Sequence, residues 1–589
     1  MFATPPILPR LTDSGLFTPA DLYQARFTAD LYPARAQDTI AALTALLSLA
    51  VREGHVCLDL DHPHIRARLA ELGLNPLMPD LTTLIGPSGP LVAVGRRLYF
   101  ARFYRDEAFL ARAVRTLIRE EGGPHPLPPD LLGPGLDQDG RTDWQTVAVF
   151  AALRSRFCVI SGGPGTGKTR TVARILKLAA QVANGPLSIG LAAPTGKAAS
   201  RMAQSLTKVF GGEMPPDLTR CVRGQAQTVH RLLGWQPGGA FRYHRGNPLP
   251  LDMLVVDEVS MLDLEMTARL MDALPPHIRL VLLGDRHQLA SVEAGAVLAN
   301  LCQAAEVNRF SDGFVQSWQQ ATGTSLPRAD MDFPLTDHVV ELQKSWRFGP
   351  DSGIARLASL IRDGLADEAV EFLGRPHPDL EIIAEEGASA LSRTITPLVR
   401  TVFAPLGKTT EPTQALHQFD GLRLLSPIRQ GPRGTVTLNR LVREILTGVT
   451  GESPVWYPGR PVMILENDYA LGLFNGDVGI ALPENERLRV FFAGADGVRS
   501  FAPSRLPRHE TCYAMTVHKS QGSEFDHAVL ILPEEPCPIL GRELLYTALT
   551  RARKRFTLFG DPELVRHATL TPVRRDSGLG TMLATKNAM

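Results

Sequence analysis

Cysteine is scarce in this sequence, and so are the patterns in which cysteine binds metals or forms disulfides. The chain has 589 residues and six cysteines. None of them forms a CxxC pair or a Cys/His cluster with metal-ligand spacing. They are scattered along the chain as Cys57, Cys158, Cys221, Cys302, Cys512 and Cys537. This spacing argues against a disulfide framework and a zinc module, and it is typical of reduced thiols in a cytoplasmic protein.

An excess of charge and a long apolar run are also missing. Lys and Arg total 62 and Asp and Glu total 61, so the formal net charge is +1. The overall charge therefore neither favours nor excludes a nucleic-acid partner. The N-terminus lacks a basic segment followed by an apolar one, and no apolar stretch is long enough to span a bilayer. We expect a cytoplasmic protein that has no association with membranes.

Length and periodicity predict several folded domains. A chain of 589 residues corresponds to about three to five domains of ordinary size. Helical periodicity in residues 38–54 and 109–121 predicts a mainly helical first domain over residues 1–125. Proline and glycine are concentrated in residues 122–135, which predicts a linker.

From residue 157 onward, short apolar runs alternate with helical segments. The runs FCVISG, LSIGLAAPTG, MLVVDEVSM and IRLVLLGD predict buried parallel strands with crossover helices, and hence an α/β fold. Similar runs predict a second α/β unit, and turn-separated strands between them predict a small β insertion. The predicted boundaries are 136–335 for the first unit, 336–434 with 511–575 for the second, and 435–510 for the insertion.

A phosphate-binding loop begins at the end of the first of these strands. Residues Gly162 to Thr169 match GxxxxGK[ST] between a predicted strand and a predicted helix. Glycines in such a loop turn backbone N–H groups toward phosphate oxygens, while Lys168 supplies a cation and Thr169 a hydroxyl for Mg²⁺. The predicted nucleotide contacts are Gly162, Gly163, Pro164, Gly165, Thr166, Gly167, Lys168, Thr169 and Arg170. We therefore expect the chain to bind a nucleoside triphosphate with Mg²⁺.

Further polar residues have the chemistry that hydrolysis of this triphosphate needs. Asp257 and Glu258 follow an apolar strand, which suits a metal ligand and a general base, respectively. Gln288 follows another strand, where its amide would sense the γ-phosphate. Arg347 and Arg551 belong to the second unit and would supply permanent charge to the transition state. Taken singly, these arginines are better explained as solvated surface residues.

The order of the motifs resembles that of superfamily 1 helicases. GGPGTGKT, APTGKAASRM, QTVHRLLG, VVDEVSMLD, LGDRHQL, SWRFG, TVHKSQGSEFDH and LYTALTRAR follow one another between residues 144 and 553. Their details, together with GHVCLDL at 54–60, are similar to the RecD family, the alpha subunit of exodeoxyribonuclease V (RecBCD). The resemblance implies two RecA-like domains, a small 1B insertion near 235–252, and an SH3-like character for the 435–510 insertion. It also implies an ATP-driven 5′-to-3′ motor on single-stranded DNA, with RecB-like and RecC-like partner subunits, that acts at duplex DNA ends in break repair and recombination.

The resemblance assigns further residues to the adenosine and to the DNA strand. It implies that Gln145 contacts the adenine and Glu524 the ribose. The residues implied to lie along the DNA strand are Pro194, Thr195, Lys197, Thr228, His230, Thr516, His518 and Lys519. Hydroxyls and a few cations can follow phosphates without reading bases, as a motor requires. Helix capping by the threonines and a buried structural role for His518 remain alternatives.

Three other functions remain open at this point. A nucleotide-binding subunit with a mainly architectural role would also carry the phosphate loop, but it would not need an intact Lys168, Asp257, Glu258 and Arg551. A longer, self-sufficient branch of the family works without partners, and the 140 or so residues before the motor favour the subunit form instead. A small-molecule kinase would leave Arg347 and Arg551 unexplained. No nuclease cluster of carboxylates is evident, so the nuclease of such a complex is expected on another chain.

Overall fold

The structure is a computed structural model, and it describes most of the chain. The described residues are 6–74, 85, 89–119, 132–183, 185–236, 238–349, 351–384, 387–448, 455–468, 470–485, 487–494 and 497–585. Most of the predicted linker, residues 122–131, lies outside this described part. Among the described residues, no helix combines the length and apolarity that crossing a bilayer requires.

The N-terminal region is mainly helical, as predicted, and carries one small antiparallel sheet. Its helices are α1 (Leu8–Asp13), α2 (Pro19–Ala29), α3 (Gln37–Arg52), α4 (Pro63–Glu71) and α5 (Ala101–Arg119). Its strands are β1 (Leu58–Asp59), β2 (Leu91–Val94) and β3 (Arg97–Phe100), in the order β1-β3-β2. Thr18 and Asp21 form a capping box that starts α2, since each side chain accepts a hydrogen bond from the other residue's backbone N–H. Helix α3 is buried along most of its length, because ten of its 16 residues are apolar.

The first lobe is a parallel six-stranded sheet that has helices on both faces. The strands are β4 (Phe157–Gly162), β5 (Ile189–Ala193), β6 (Gln227–Thr228), β7 (Met253–Val256), β8 (Arg279–Gly284) and β9 (Val339–Leu342). The helices are α6 (Trp144–Arg154), α7 (Lys168–Val182), α8 (Gly196–Val209), α9 (Pro216–Cys221), α10 (Val229–Leu232), α11 (Leu264–Asp272), α12 (Val297–Gln303) and α13 (Asp312–Thr322). The strand order is β6-β5-β7-β8-β4-β9. Because β9 pairs in parallel with β4, this lobe extends past the predicted boundary at 335.

The second lobe and its insertion together contain ten strands in the described residues. The strands are β10 (Leu380–Ile383), β11 (Leu422–Ser426), β12 (Pro461–Ile464), β13 (Val478–Glu484), β14 (Arg487–Gly494), β15 (Gly497–Phe501), β16 (His509–Thr511), β17 (Ala514–Thr516), β18 (Phe525–Ile531) and β19 (Ala552–Phe559). Five form the lobe's parallel sheet, in the order β10-β19-β18-β11-β17. The other five form an antiparallel sheet, in the order β15-β14-β13-β12-β16, at the place of the predicted β insertion.

Seven helices pack with the second lobe, and one more returns to the N-terminal region. They are α14 (Gly353–Asp363), α15 (Ala366–Leu373), α16 (Ala388–Val402), α17 (Pro412–Phe419), α18 (Thr435–Thr447), α19 (Arg542–Leu549), α20 (Pro562–Leu570) and α21 (Leu579–Ala584). Leu438 of α18 lies in the core of the lobe, so the antiparallel part of the predicted 435–510 insertion begins only after this helix. Leu579 and Leu583 of α21 are buried in the core that includes α3 and α5.

Short 3-10 helices complete the described elements. They are Ala34–Ala36, Val259–Met261, Ala404–Lys408, Pro503–Arg505 and His518–Ser520. The second of them follows Glu258, and the last contains His518 and Lys519. The fold thus confirms the predicted α/β class, and its two parallel sheets place the strand ends that carry the motifs near one another.

Candidate nucleotide site between the two lobes

The phosphate loop connects β4 to α7, as the sequence predicts. Gly167 precedes α7 and adopts a left-handed conformation, with φ of 89°, which points the first N–H groups of the helix toward the loop interior. The ammonium of Lys168 lies across the loop and donates hydrogen bonds to the carbonyls of Gly162 at 2.5 Å and Gly163 at 3.3 Å. Arg170, in the first turn of α7, is exposed. The loop therefore has the shape and charge of an anion cradle.

Gln145 lies beneath this loop. Its side-chain amide donates a hydrogen bond of 2.9 Å to the carbonyl of Thr166, and its side chain is largely buried. Asp143 caps α6 by accepting a hydrogen bond from the backbone N–H of Gln145 and so fixes the start of this helix. In this conformation, Gln145 supports the loop from behind. Its predicted contact with adenine stays a prediction.

The two carboxylates predicted for catalysis stand at the carboxyl end of β7. Glu258 has a φ of 56°, an unusual value for a residue with a side chain. Its backbone N–H donates a hydrogen bond of 2.8 Å to Oδ1 of Asp257. Burial, together with the neighbouring Glu258, raises the pKa of Asp257 above its ordinary value, while Lys168 acts in the opposite direction. Strained backbone beside a half-buried pair of carboxylates is typical of a functional site.

Gln288 connects the first lobe to the second through Asp285. The Gln288 amide and the Tyr546 hydroxyl both donate to Oδ2 of Asp285, each at 3.0 Å. Tyr546 belongs to α19 of the second lobe. The next residue, Leu289, donates its backbone N–H to the hydroxyl of Thr547 at 2.9 Å. These hydrogen bonds connect Gln288 and its neighbour to α19 of the second lobe.

The second lobe presents Glu524 and Arg551 at the amino ends of its strands. Glu524 directly precedes β18 and Arg551 directly precedes β19; these strands are neighbours. The guanidinium of Arg551 is buried and donates to the carbonyls of Thr547 and Ser523, each at 3.1 Å. Burial lowers the pKa of Arg551, and the nearby Glu258 and Glu524 oppose this effect. The first lobe, in contrast, contributes residues at the carboxyl ends of its strands, where parallel α/β sheets bind ligands.

Arg347 follows β9 and lies directly against the phosphate loop. The N–H of its neighbour Trp346 donates a hydrogen bond of 2.7 Å to the carbonyl of Gly165, and a Cβ atom at Gly165 would lie 2.4 Å from Cβ of Arg347. Nη2 of Arg347 lies 2.5 Å from Oε1 of Glu524. Its buried Nη1 has no hydrogen-bond partner among the described residues. A buried donor without a partner is costly, so this guanidinium is suited to donate a hydrogen bond to a bound anion.

These residues enclose one cavity of about 280 Å³ between the two lobes. The predicted residues that line it are Gly163, Pro164, Gly165, Thr166, Gly167, Lys168, Thr169, Asp257, Glu258, Gln288, Arg347, Glu524 and Arg551. Four further lining residues lie on α8 and carry no sequence signal of a role in nucleotide binding: Ala198, Arg201, Met202 and Ser205. The convergence of a phosphate loop, two carboxylates and two arginines in one polar cavity supports a triphosphate site.

The residues predicted to follow the DNA strand in the first lobe lie at the ends of β5 and β6. These strands are paired in parallel, with Ala193 opposite Thr228. Pro194 follows Ala193, and Thr195 caps α8 by accepting the N–H of Ala198 at 3.2 Å. Thr228 caps α10 in the same way. Burial lowers the pKa of His230. The threonines thus hold helix starts at the carboxyl edge of the sheet.

Lys197 stands apart from the other cations in this group. It lies half-buried in the first turn of α8, close enough to Asp420 and Arg423 of the second lobe to interact with their charges. Burial lowers the pKa of its ammonium to about 8, although Asp420 opposes this effect. A lysine with this pKa loses its charge just above neutral pH, so any contact that it makes with a phosphate will depend on pH.

The second lobe places its predicted DNA residues at the end of β17. The hydroxyl of Thr516 accepts the backbone N–H of Lys519 at 3.4 Å, and the ammonium of Lys519 lies 2.7 Å from Oε1 of Glu510. Burial, with the nearby Arg575, lowers the pKa of His518. Both lobes therefore carry their predicted DNA residues at or just beyond the carboxyl ends of strands at one side of each sheet, β5 and β6 in the first lobe and β17 in the second.

Three known protein families match successive parts of the chain. The N-terminal domain of RecBCD enzyme subunit RecD matches residues 13–93. An AAA domain matches residues 145–294, and a UvrD-like helicase C-terminal domain matches residues 511–559. The first match falls on the helical region and the other two on the two lobes of the candidate site.

Similar proteins cover almost the whole chain. The RecBCD enzyme subunit RecD of Haemophilus influenzae is 33% identical, over 99% of this chain and 100% of that protein. The RecD subunit of Mycolicibacterium smegmatis is 37% identical, over 96% of this chain and 97% of that protein. The ATP-dependent RecD2 DNA helicase of Deinococcus radiodurans is 31% identical, over 92% of this chain and 68% of that protein.

Solved structures match more weakly. A Bacteroides Pif1 structure bound to single-stranded DNA is 17% identical, covers 68% of this chain and 88% of that chain, and has a TM-score of 0.35. This value supports no conclusion about function. The relatives compared over their full length are decisive: this chain belongs to the RecD family of helicase subunits of RecBCD enzymes.

Proposed function

We propose that this chain is an ATP-driven DNA motor that moves 5′ to 3′ along single-stranded DNA. In this proposal it works as the RecD subunit of a RecBCD (exodeoxyribonuclease V) complex in double-strand break repair and homologous recombination. One observation carries the proposal: Lys168 of the first lobe and Arg551 of the second line the same cavity. Such a cavity allows hydrolysis to be coupled to relative movement of the lobes.

The first lobe holds the substrate and contributes the carboxylates. Backbone N–H groups at the start of α7 and the ammonium of Lys168 bind the phosphates of ATP. Glu258 orients the attacking water and accepts its proton, a role that its position beside Asp257 allows. Gln288 places its amide near the terminal phosphate and transmits the state of that phosphate to Tyr546 through Asp285.

Two arginines neutralise charge on the phosphates. Arg347, which follows β9 of the first lobe, and Arg551 of the second lobe add two guanidiniums to a polar cavity in which electrostatic interactions are stronger than in water. When ATP is bound, this attraction draws the lobes together, and when the products leave it disappears. The cycle moves Thr516 of the second lobe relative to Thr195 of the first and thereby advances a strand held between them.

The donor set of the site fits Mg²⁺. Among the described residues, no cluster of three or more His, Cys, Asp or Glu side chains is present. A Mg²⁺ ion in nucleotide sites commonly takes one or two protein oxygens and completes its shell with water and phosphate. The hydroxyl of Thr169 and the carboxylate of Asp257 line the cavity and would supply these oxygens. When bound, the ion would neutralise charge on the phosphate oxygens.

RecB-like and RecC-like subunits are the proposed partners, with duplex ends and single-stranded DNA as substrates. The match of residues 13–93 to the N-terminal domain of a RecBCD subunit supports the subunit form over the self-sufficient one. In this proposal the mainly helical region up to residue 125 docks onto the partners. A motor that processes chromosomal DNA works in the compartment that holds the chromosome, so the proposed location of this protein is the cytoplasm.

The test compares ATP hydrolysis by the assembled wild-type complex with hydrolysis by a complex that carries Lys168→Gln. Lys168→Gln should abolish this subunit's share of the turnover that single-stranded DNA stimulates, because the terminal phosphates lose their cation. Lys177→Gln is the matched control, since Lys177 is an exposed residue of the same helix. Equal turnover in the wild type and the Lys168 variant would favour the architectural role. An active monomer, purified without two large companion chains, would favour the self-sufficient helicase.

A second measurement addresses polarity. The complex is given a partially duplex DNA with either a 5′ or a 3′ single-stranded end, and strand separation is followed. Lys168→Gln should remove the activity that starts from the 5′ end and spare the activity that starts from the 3′ end. Selective loss of the strand separation that starts from the 3′ end would contradict the proposed direction of movement.

A further inference from the structure

One face of helix α8 forms a wall of the nucleotide cavity. Ala198, Arg201, Met202 and Ser205 line the cavity, and their spacing of three, four and seven residues places them on one side of a helix. Three of the four side chains are small or apolar. Arg201 is the one charged side chain on this wall, and it points toward the second lobe.

Arg201 crosses the cleft and makes two contacts with the second lobe. Its Nη1 donates a hydrogen bond of 2.6 Å to the backbone carbonyl of Gly522. Its Nη2 lies 3.2 Å from Oε2 of Glu524. A guanidinium can make both contacts at once because its donors form a rigid planar fork. Arg201 therefore holds a segment of the second lobe against α8 at the edge of the cavity.

The carboxylate of Glu524 forms ion pairs with arginines from both sides of the cleft. Oε1 of its carboxylate lies 2.5 Å from Nη2 of Arg347, while Oε2 receives Arg201 and, at 3.4 Å, Nε of Arg553. Burial would raise the pKa of Glu524, but Arg201, Arg347 and Arg551 lower it to about 2. The carboxylate thus stays ionised, and arginines fix the position of both of its oxygens.

We propose that Arg201 is a positioning residue for the nucleotide site. It fixes Glu524 and the Gly522 carbonyl against the first lobe and so sets the shape of the cavity in which ATP binds. This inference rests on the proposed ATPase function and adds a residue of the first lobe to it. The main effect of losing Arg201 falls on ATP affinity, because Lys168, Asp257 and Glu258 remain in place for the chemical step.

The experiment measures ATP hydrolysis stimulated by single-stranded DNA in the full complex with its partner subunits. The rate of the Lys168→Gln complex is subtracted as the contribution of the other motor. For Arg201→Gln, KM for ATP should rise about tenfold, which corresponds to the loss of one charge-assisted hydrogen bond, while kcat stays within about twofold. Arg201→Lys should give an intermediate KM, since an ammonium restores the charge but not the fork.

Lys208→Gln is the matched control, because Lys208 is exposed on the same helix and its loss changes the net charge equally. Its KM should equal that of the wild type. A double variant with Glu524→Gln should raise KM by less than the product of the two single effects, because both changes break the same contact.

The inference is overturned if Arg201→Gln has the KM of the Lys208 control. It is also overturned if Arg201→Gln lowers kcat to the subtracted background, or if Arg201→Lys restores nothing, since a general loss of folding would produce both results. Failure of the proposed function looks different. In that case the wild-type complex would not exceed the Lys168→Gln complex at any ATP concentration.

Discussion

Replacing Gly167 with alanine changes the phosphate loop at its narrowest point. Gly167 has a φ of 89°, and a Cβ atom there would lie 2.2 Å from Nε2 of Gln145. This distance is far below van der Waals contact, so Gln145 must move. Its hydrogen bond to the carbonyl of Thr166 then breaks, and the loop loses its support from behind.

The structure gives an approximate size for this effect. An alanine in the left-handed region costs about 1–2 kcal/mol relative to glycine. Loss of the hydrogen bond between Gln145 and Thr166 adds about 1 kcal/mol. If the loop must regain its shape to bind phosphate, the sum of about 2–3 kcal/mol weakens binding by roughly 25- to 150-fold.

The assay is photo-crosslinking of an azido-ATP to the assembled complex, with the label on this chain resolved by gel electrophoresis. In the Gly167→Ala variant, the nucleotide concentration at half-saturation should rise by roughly 25- to 150-fold. Gly185→Ala is the control, because a Cβ atom at Gly185 meets nothing within 4 Å. Half-saturation within about threefold of the wild type in Gly167→Ala, with both variants folded, would refute the reasoning.

Two other predictions concern charge and the C-terminal segment. Lys197, whose pKa burial lowers to about 8, is a cation below that pH and neutral above it. Affinity for single-stranded DNA, followed by fluorescence anisotropy, should therefore fall as pH rises from 7 to 9. An equally steep fall in Lys197→Gln would contradict a role for this lysine. Buried Glu107 accepts hydrogen bonds from the hydroxyl of Ser577 at 2.5 Å and the N–H of Gly578 at 3.0 Å. Glu107→Ala should destabilise the docking of residues 577–585 by about 2–4 kcal/mol. Faster amide hydrogen exchange in residues 577–585 would show the weaker docking, and unchanged exchange would contradict the prediction.

The features that the sequence predicts correctly depend on short segments. The glycines before Lys168 and the carboxylates after β7 each belong to one strand end, where local pattern determines local structure. Both lobes were predicted for the same reason, because apolar runs of strand length alternate with helices. Arg347 and Arg551 needed the order of the motifs, since nothing in their immediate surroundings brings them to the phosphate loop.

The features that escaped prediction depend on contacts between distant parts of the chain. Arg201 stands inside a motif that was recognised, but its partner Gly522 is 321 residues further along the chain. The sequence pattern predicts Val339–Leu342 in the second unit, and only its pairing with β4 places it in the first. The return of α21 to the N-terminal core follows from Leu579 and Leu583, whose helix is too short to show a clear period. Sequence patterns specify elements, whereas these pairings depend on the tertiary fold.

The most direct test is a structure of the assembled complex with a non-hydrolysable ATP analogue, Mg²⁺ and single-stranded DNA. The triphosphate is expected in the cavity between the lobes, with Lys168 and Arg551 both in contact with its terminal phosphates. DNA is expected near Thr195, which follows β5 of the first lobe, and near Thr516, at the end of β17 of the second. A nucleotide bound by one lobe alone, with Arg551 still directed only to the carbonyls of Thr547 and Ser523, would contradict the central claim that ATP closes the two lobes.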